Sequence, residues 1–547
     1  MDDKGPQMNA HTRKRPQVAQ VNARTARILA NYEKFETDVA LAEAAFARGD
    51  LDTACFHAAT AATVATHKHC GVFASARLEH MLQAIGRQIP DPGAGVWTRA
   101  WPYKRVLHVG TELAAVGGLT RMISRWITAD PGRTNSLALT HHRGDVPDHL
   151  VDAVAESGGE IHRLNHQMGG QFAWVRELRR LARQNDLIIL HVHCEDVLPL
   201  IAFAEAEKFP PVLLLNHADH IFWLGASFSH MVINLRDAAT DISVRRRGVA
   251  PERNFLLPTI VDPTVRTRSR AEAKAALGLD PDKLLLLSVA RQAKYRSLNG
   301  VSFADVHADV LEKHPQAQLV VVGSGDPDDW AAAKARTGGR ITGLPEQPGP
   351  QAYFEAADIY VDSHPFTSST SMMEACGYGS PLVTLFLSPP EAAIFGINHV
   401  GLVGTAIVAT SRADYDAVLG RLITDSAFRH EAGEAARVAV EAAHVPPGWT
   451  RYMEQAYAAA HALPPLDNTP LDPAIEQPNV GPPDDQHEDI FGFDYSVPAI
   501  KKVYMGQLPI RQRLAVWSQL RRAGHVSGLP EALRLLLPEW LKRRLQP

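Results

Sequence analysis

The chain has 547 residues, of which 45% are hydrophobic and 21% charged, a composition typical of globular proteins and a length too great for one core. Its 56 basic and 60 acidic side chains give a net charge of −4, which excludes a chain-wide field for nucleic acid. Cysteines without CxxC spacing argue against a disulfide framework or structural zinc: Cys55, Cys70, Cys194 and Cys376. With no long apolar run and no signal-peptide core, we expect a cytoplasmic protein.

The first 100 residues predict helices. Residues 1–17 are polar and predicted to be disordered, and 18–90 show helical spacing of apolar residues. Within this helical extension, AFARGDLDTACFHAATAA resembles a single tetratricopeptide-like hairpin.

Alternating strand and helix patterns follow the extension. KRVLHVG, GTELAAVGG and LTRMISRWI read as a strand, a glycine loop and a helix, and open a Rossmann-like domain over 103–262. The segment NFLLPTIVD is typical of an interdomain crossing, after which KLLLLSVAR and QLVVVGSGD start a second such domain over 263–460.

The remaining sequence differs in composition. Residues 464–487 are rich in proline and predict a linker or an extended strap. The tail, 488–547, predicts basic amphipathic helices, since ten Lys/Arg and two acidic residues lie between Lys501 and Pro547. Such helices would bind an anionic membrane surface, or dock on the body with their basic faces in water.

One segment, DIYVDSHPFTSSTSMMEACGYGSPLVT from Asp358 to Thr384, predicts a strand, a hydroxyl-rich turn and a helix. Free N–H groups and the positive dipole end at a helix start can hold a diphosphate. The alternative is an ordinary capped helix.

Four sequence pieces resemble the GT-B glycosyltransferases, most closely family 4 of the retaining, nucleotide-sugar-dependent enzymes. In chain order they are the Gly117–Gly118 loop, the strand ending in His217, the VAR strand end at Arg291, and EACGYGSPLV from Glu374. The resemblance spans about residues 103–460. It implies an α/β fold of two Rossmann-like, doubly wound domains that face a cleft.

The resemblance implies phosphate ligands. Arg291, with Lys294 or Arg296, would stabilise the departing diphosphate without a metal. The family places Lys-Gly five residues after the arginine, whereas this chain has Arg296-Ser297 there and Lys294 two residues earlier. The identity of the second cation therefore stays open.

The same resemblance assigns donor contacts. Glu374 would bind the ribose hydroxyls, and the backbone of Ser368, Ser369 and Thr370 would contact the sugar and phosphates. Phe366 stands where the family has a sugar-contacting glutamate. This change would alter the sugar choice, shift the contact to His364, or impair catalysis.

Further contacts are implied on both sides of the cleft. Gly117 and Gly118 would let the backbone approach the phosphates or the acceptor. His217 would support developing charge or bind a sugar hydroxyl, and Asp219 would orient it or the acceptor. The loop at Gly343–Leu344 would line the nucleobase pocket.

A metal site is the less favoured reading of the histidine-rich segments. HVHCED contains His191, His193 and Glu195, but side chains on a strand share a face only at alternate positions and no further ligand is evident. A buried or strand-end role is preferred for these histidines.

The resemblance alone implies a metal-independent mechanism with retention of configuration. It also implies a nucleotide diphosphate sugar as co-substrate and no cofactor. The acceptor would be a glycan or lipid-linked molecule of the cell envelope, reached from the inner face of the membrane. A protein acceptor is the enzymatic alternative, because the segment at 364–384 is also similar to the O-GlcNAc-type branch of GT-B enzymes. A catalytically degenerate scaffold or nucleotide-sugar sensor is the third hypothesis.

Overall fold

The structure, a computed structural model, describes residues 15–90, 100–114, 117–466, 470–493 and 495–545, with side chains from residue 23 onward. Of residues 1–17, which were predicted to be disordered, 1–14 lie outside this part of the chain and 15–17 form the start of α1. The helical extension contains α1 (Arg15–Ala47), α2 (Leu51–His67) and α3 (Ala76–Gln88). Asp50 and Ser75 cap α2 and α3, because their side chains accept backbone N–H bonds from the first helical turn.

The first domain alternates strands and helices: β1 (Arg105–Gly110), α4 (Gly118–Thr128), β2 (Thr134–Leu139), α5 (Asp148–Glu156), β3 (Ile161–Arg163), α6 (Gln171–Ala182), β4 (Leu187–His191), α7 (Leu198–Ala202), β5 (Val212–Asn216), β6 (Met231–Asn234), α8 (Asp237–Arg247) and β7 (Asn254–Leu256). Its seven parallel strands are ordered β3-β2-β1-β4-β5-β6-β7. Strands β4 and β5 are buried along their length because helices cover both faces.

The second domain repeats the pattern: α9 (Arg270–Ala276), β8 (Leu284–Val289), α10 (Phe303–Lys313), β9 (Ala317–Val322), α11 (Ala331–Arg336), β10 (Ile341–Leu344), α12 (Gln351–Ala356), β11 (Ile359–Val361), α13 (Thr370–Gly377), β12 (Leu382–Leu385), β13 (Ile407–Ala409), α14 (Arg412–Thr424) and α15 (Ser426–His444). The sheet order is β10-β9-β8-β11-β12-β13. Both sheets have the Rossmann order, which confirms the predicted GT-B class.

The chain then returns to the first domain through α16 (Gly448–Ala462). Trp449 and Tyr457 pack with Trp126 of α4, and the indole N–H of Trp126 donates to the Tyr457 hydroxyl at 2.8 Å. The predicted domain boundary at 460 assigned this helix to the second domain, whereas its apolar face is buried against the first.

The tail forms α17 (Asp484–Phe491), α18 (Val497–Tyr504), α19 (Ile510–Arg522), α20 (Gly528–Leu536) and α21 (Glu539–Leu545). Helix α18 packs on α2, where the hydroxyls of Thr63 and Tyr504 are 2.7 Å apart. Helix α17 is tied to the body by Asp484, whose carboxylate contacts His69 and Arg246. One face of the tail is therefore docked on the body.

The extension is fused to the first domain. The buried carboxylate of Glu79 accepts backbone N–H bonds from Gly225, Ala226 and Ser227. Arg179 of α6 donates in return to the carbonyls of Gly86 and Ile89. Across the described ranges, no helix has both the length and the apolar character needed to cross a membrane.

Candidate functional site

The candidate site lies between the carboxyl ends of the two sheets, where loops from both domains meet. Gly118 begins α4 after β1, and a methyl group built on it would lie 3.8 Å from Oγ1 of Thr370 in α13. Larger side chains at Gly118 would therefore fill the space in front of α13. The structure thus brings the predicted glycine pair and the predicted anion-binding turn together.

The turn before α13 is held by Asp362, a residue that the sequence analysis did not single out. Its buried carboxylate accepts the backbone N–H groups of Ser363 and Ser368, both at 2.9 Å, and the hydroxyl of Thr367 at 2.7 Å. Burial raises the pKa of Asp362. The Ser368 hydroxyl is 2.9 Å from that of Tyr360, so it is a structural contact within the turn.

The start of α13 is open. Ser369 precedes the helix with φ at 55°, a backbone conformation that residues other than glycine rarely adopt. No described side chain caps this helix start, and the first turn carries no acidic residue. The N–H groups of Thr370 and Ser371 have no acceptor within the helix, so they can bind an anion together with the positive dipole end.

Glu374 connects the two domains. Its Oε1 accepts from Nη2 of Arg125 in α4 at 2.9 Å, and Arg125 also pairs with Asp262 at 2.6 Å. Burial would lower the pKa of Arg125, but its bonds to Asp262 and Glu374 outweigh burial and raise that pKa. In the described part of the chain, Oε2 of Glu374 has no partner and so can accept another hydrogen bond.

Lys294 is the cation nearest the turn. Its Nζ donates to the carbonyl of Thr367 at 2.6 Å and lies 4.5 Å from the ring centre of Phe366. Burial lowers the pKa of Lys294 to about 8. Its charge therefore lies at the turn before α13 and is sensitive to mildly alkaline pH.

The other two predicted cations are placed differently. Arg291 is exposed after β8, and its Nε lies 3.6 Å from a carboxylate oxygen of Glu346. Arg296 instead donates to the carbonyl of Gly492 at 2.8 Å and lies over the ring of Phe493. The tail therefore holds Arg296, and Lys294 is the better candidate for the second phosphate ligand.

His217 and Asp219 follow β5 but have different surroundings. Nδ1 of His217 is 3.3 Å from the carbonyl of Leu215, which leaves Nε2 as an acceptor when Nδ1 carries the proton. Burial lowers the pKa of His217 to about 4, so its ring is neutral near pH 7. His217 borders a cavity of about 10 Å³, room for roughly one water.

Asp219 is bound to Arg236 through two hydrogen bonds of 2.6 and 2.7 Å. Burial would raise the pKa of Asp219, but Arg236 outweighs it and holds that pKa well below its usual range. Arg236 also donates to the carbonyl of Gly396 in the second domain at 3.2 Å. Asp219 thus forms a buried ion pair at the domain interface, and its predicted orienting role stays a prediction.

Gly343 and Leu344 form the end of β10. A methyl group on Gly343 would lie 2.2 Å from the carbonyl oxygen of Gly325, so only glycine permits this approach. The Leu344 carbonyl accepts N–H bonds from Gly323 and Gly325, both at 2.9 Å. These contacts fix the two loops beside the carboxyl edge of the second sheet, where the nucleobase pocket was predicted.

Phe366 is a core residue of the domain interface. Its ring packs with Phe395, with His220 of the first domain and with Phe491 of the tail, at centroid distances between 4.6 and 6.2 Å. The neighbouring His364 is also buried, and its Nδ1 bonds to the carbonyl of Leu385 at 2.9 Å. Aromatic packing therefore accounts for phenylalanine at this position.

The histidine-rich strand end has a structural core and a polar rim. His191 is buried, with its Nε2 2.9 Å from Nδ1 of His108, while His193 and Glu195 lie 3.8 Å apart at the cleft. Within the residues that the structure describes, no group of three or more potential ligands could hold a metal ion.

Sequence reasoning missed Arg125, Arg236 and Asp362. Arg121 and Arg125 stand four residues apart in LTRMISRWI, so one helix face is basic, and this signal was available. Arg236 carried none, because only the folded chain brings it near Asp219 and Gly396, whereas the partners of Asp362 lie one to six residues after it.

Comparisons with known proteins concern the fold. No family model and no curated protein matches the chain. Among solved structures, HepE of Anabaena with UDP and glucose is 15% identical, with a TM-score of 0.48 over 65% of this chain and 99% of that one. A mutant O-GlcNAc transferase of Thermobaculum terrenum is 16% identical, with a TM-score of 0.46 over 81% and 84%.

A UDP-GlcNAc 2-epimerase of Neisseria meningitidis bound to UDP-GlcNAc is 12% identical to this chain, with a TM-score of 0.43 over 65% of this chain and 99% of that one. A fold does not by itself determine function, so function is derived from the chemistry of the site.

Proposed function

We propose that the chain is a glycosyltransferase that moves a sugar from a nucleotide diphosphate sugar to an acceptor hydroxyl. The uncapped start of α13, facing Gly118 across the cleft, is the observation that carries this proposal. The backbone N–H groups of Thr370 and Ser371 bind the diphosphate, and Lys294 and Arg291 add positive charge. These groups stabilise the negative charge that develops on the leaving group.

The remaining donor contacts come from both sheets. Oε2 of Glu374 accepts a ribose hydroxyl while Oε1 stays on Arg125, so donor binding and domain contact use the same carboxylate. The base lies beside Gly343 and Leu344 at the end of β10. This division follows the general rule that ligands of open α/β sheets bind outside the carboxyl ends of the strands.

The transfer step is proposed to retain anomeric configuration without a bound metal. The bond from the anomeric carbon to the phosphate oxygen breaks, a bond to the acceptor oxygen forms, and the departing diphosphate takes the acceptor proton. His217 accepts a hydrogen bond from a sugar hydroxyl through Nε2. Asp219 is excluded as the base because both its oxygens are bound to Arg236.

For the acceptor, we favour a glycan or lipid-linked molecule of the cell envelope over a polypeptide. Helices α2 and α3 of the extension are buried over most of their residues, which favours a structural role for them. A protein O-glycosyltransferase would need a polypeptide-binding surface elsewhere.

The second candidate is a nucleotide-sugar sensor that binds the donor without transfer. It is favoured by the Arg125–Glu374 contact, which links donor binding directly to domain closure. It is also favoured by Phe366, which occupies the position of the sugar-contacting glutamate.

Calorimetry with UDP, GDP and ADP sugars tests the donor site, with Arg291→Ala and Glu374→Ala as site variants and the exposed Arg268→Ala as the matched control. We expect one of the three nucleotide sugars to bind the parent protein, and both site variants to bind it more weakly. Absence of binding to all three would reject the transferase and the sensor together.

Donor hydrolysis then separates the two candidates. A transferase should release sugar from the bound donor, and His217→Ala should lower this rate about 100-fold while donor affinity is kept. Binding without turnover would favour the sensor. A product of inverted anomeric configuration that no longer forms in Glu195→Gln would reject the retaining mechanism.

A further inference from the structure

The outer surface of the tail carries exposed apolar side chains. Leu529 and Leu533 of α20 are 71% and 58% exposed, and Ile510 and Leu514 of α19 are exposed as well. Each pair is spaced four residues apart and therefore lies on one helix face. The indole of Trp517 donates to the carbonyl of Ala532 at 3.2 Å, so α19 and α20 lie side by side.

Packing within the tail leaves this surface unused. Val516, Leu520 and Leu535 are buried against the body on the opposite faces of α19 and α20. The guanidinium of Arg513 is also directed inward, where it donates to the carbonyls of Met505 and Leu536. The apolar side chains of the outer surface thus add little to the fold itself.

The same surface is strongly basic. The two acidic residues of the tail helices α18–α21 are already paired, Glu531 with Lys502 at 2.8 Å and Glu539 with Arg543 at 2.6 Å. Within residues 495–545, five exposed arginines have no carboxylate within 4.0 Å: Arg511, Arg521, Arg522, Arg534 and Arg544. The tail therefore presents positive charge next to exposed leucines.

The surface adjoins the carboxyl edge of the first sheet. Helix α21 packs on the turn Leu164–His166 that follows β3. A methyl group on Gly170 in the next loop would lie 3.3 Å from the carbonyl of Gln507, and Met168 of that loop is 69% exposed. This is the edge from which the candidate site opens.

We propose that the outer surface of α19 and α20, extended by Met168, docks on an anionic lipid membrane. Exposed leucines would enter the boundary between headgroups and acyl chains, and the arginines would bind lipid phosphates. A lipid is favoured over a protein partner because the exposed charge is of one sign and is spread over several arginines that have no acidic partner within 4.0 Å. This docking turns the acceptor edge toward the membrane and, resting on the proposed function, selects a lipid-linked acceptor.

Vesicle flotation of the full chain tests the docking without any turnover. Vesicles of phosphatidylcholine with phosphatidylglycerol are compared with phosphatidylcholine alone, at low and high salt. We expect binding only with phosphatidylglycerol, weakened by salt because exposed charges are screened. Failure of the proposed transferase activity would leave this measurement unaffected.

Two pairs of variants locate the surface. Arg521→Glu/Arg522→Glu should weaken vesicle binding about 25-fold, and Leu529→Asp/Leu533→Asp about tenfold or more. The matched controls Arg87→Glu/Arg268→Glu and Val403→Asp/Val438→Asp should bind like the parent protein, since their residues are exposed away from the tail. If the leucine variant fails to fold, the arginine variant decides.

Three outcomes would overturn the proposal. The parent protein would fail to bind anionic vesicles, or the tail variants would bind them as well as the controls do. Alternatively, the parent protein would be a dimer that does not bind vesicles, and the tail variants would be monomers. This result would assign the surface to a second copy of the chain.

Discussion

Arg125 of the first domain donates to Glu374 of the second at 2.9 Å, and this contact uses the residue that is proposed to bind the ribose. The same arginine also pairs with Asp262 in the crossing between the domains. The proposed ribose contact and the contact between the domains would therefore share one carboxylate.

The first prediction concerns the free oxygen of Glu374. Glu374→Gln should weaken nucleotide binding about tenfold, because a charged acceptor for the ribose hydroxyls is lost. Calorimetry with ribose and 2′-deoxyribose forms of the nucleotide checks this. The loss of affinity caused by Glu374→Gln should be smaller for the deoxy form. An equal deficit for both forms would mean that Glu374 acts only through Arg125.

The second prediction concerns pH. Lys294 has a pKa of about 8 in the folded protein, so its charge is lost as the pH rises above that value. Donor affinity should fall about three- to tenfold between pH 7 and 9, because the protonated fraction falls over this range. Titration calorimetry measures it, and Lys294→Arg should remove the dependence. The same slope in that variant would assign the titration to another group.

The third prediction concerns the conformation of Ser369. Because φ is 55° there, Ser369→Gly should raise the free energy of unfolding by about 1 kcal/mol. Thermal unfolding checks this against Ser371→Gly, which lies within α13 and should be destabilising. A destabilised Ser369→Gly protein would show that the serine side chain, and not the backbone, is what the turn requires.

The fourth prediction separates a structural role of Asp219 from a catalytic one. Asp219→Asn leaves Arg236 buried without its partner and should cost about 3–5 kcal/mol of stability. Glu434→Gln, which breaks an exposed pair with Arg437, should change the melting temperature little. If Asp219→Asn has the melting temperature of the parent protein and loses only turnover, Asp219 has a catalytic role.

The fifth prediction concerns Phe366. Phe366→Glu places a carboxylate among Phe395, Phe491 and His220 and should cost about 3 kcal/mol or more. Phe366→Leu keeps an apolar side chain and should cost less. Thermal unfolding ranks the two variants. A stable Phe366→Glu protein with a changed donor preference would show that this position reaches the sugar.

Much of the architecture was predictable from local patterns. Apolar strands followed by glycine or hydroxyl turns gave the repeated β/α units, including β1, β8 and β9, because burial on both faces leaves a continuous apolar run. Strands β3, β6, β7 and β13 were missed, since runs of three or four residues carry little periodicity.

By itself, the sequence determined the two α/β repeats, the glycine loop of the first domain and the hydroxyl-rich turn that leads into a helix in the second, since each depends on neighbouring residues. Only the tertiary structure decided which side chains remain available in the cleft. In the folded chain Asp219 pairs with Arg236, Phe366 packs in an aromatic cluster with Phe491, and Arg296 bonds to the tail. These partners are distant along the chain, and their pairing follows from domain and tail packing that no local pattern encodes.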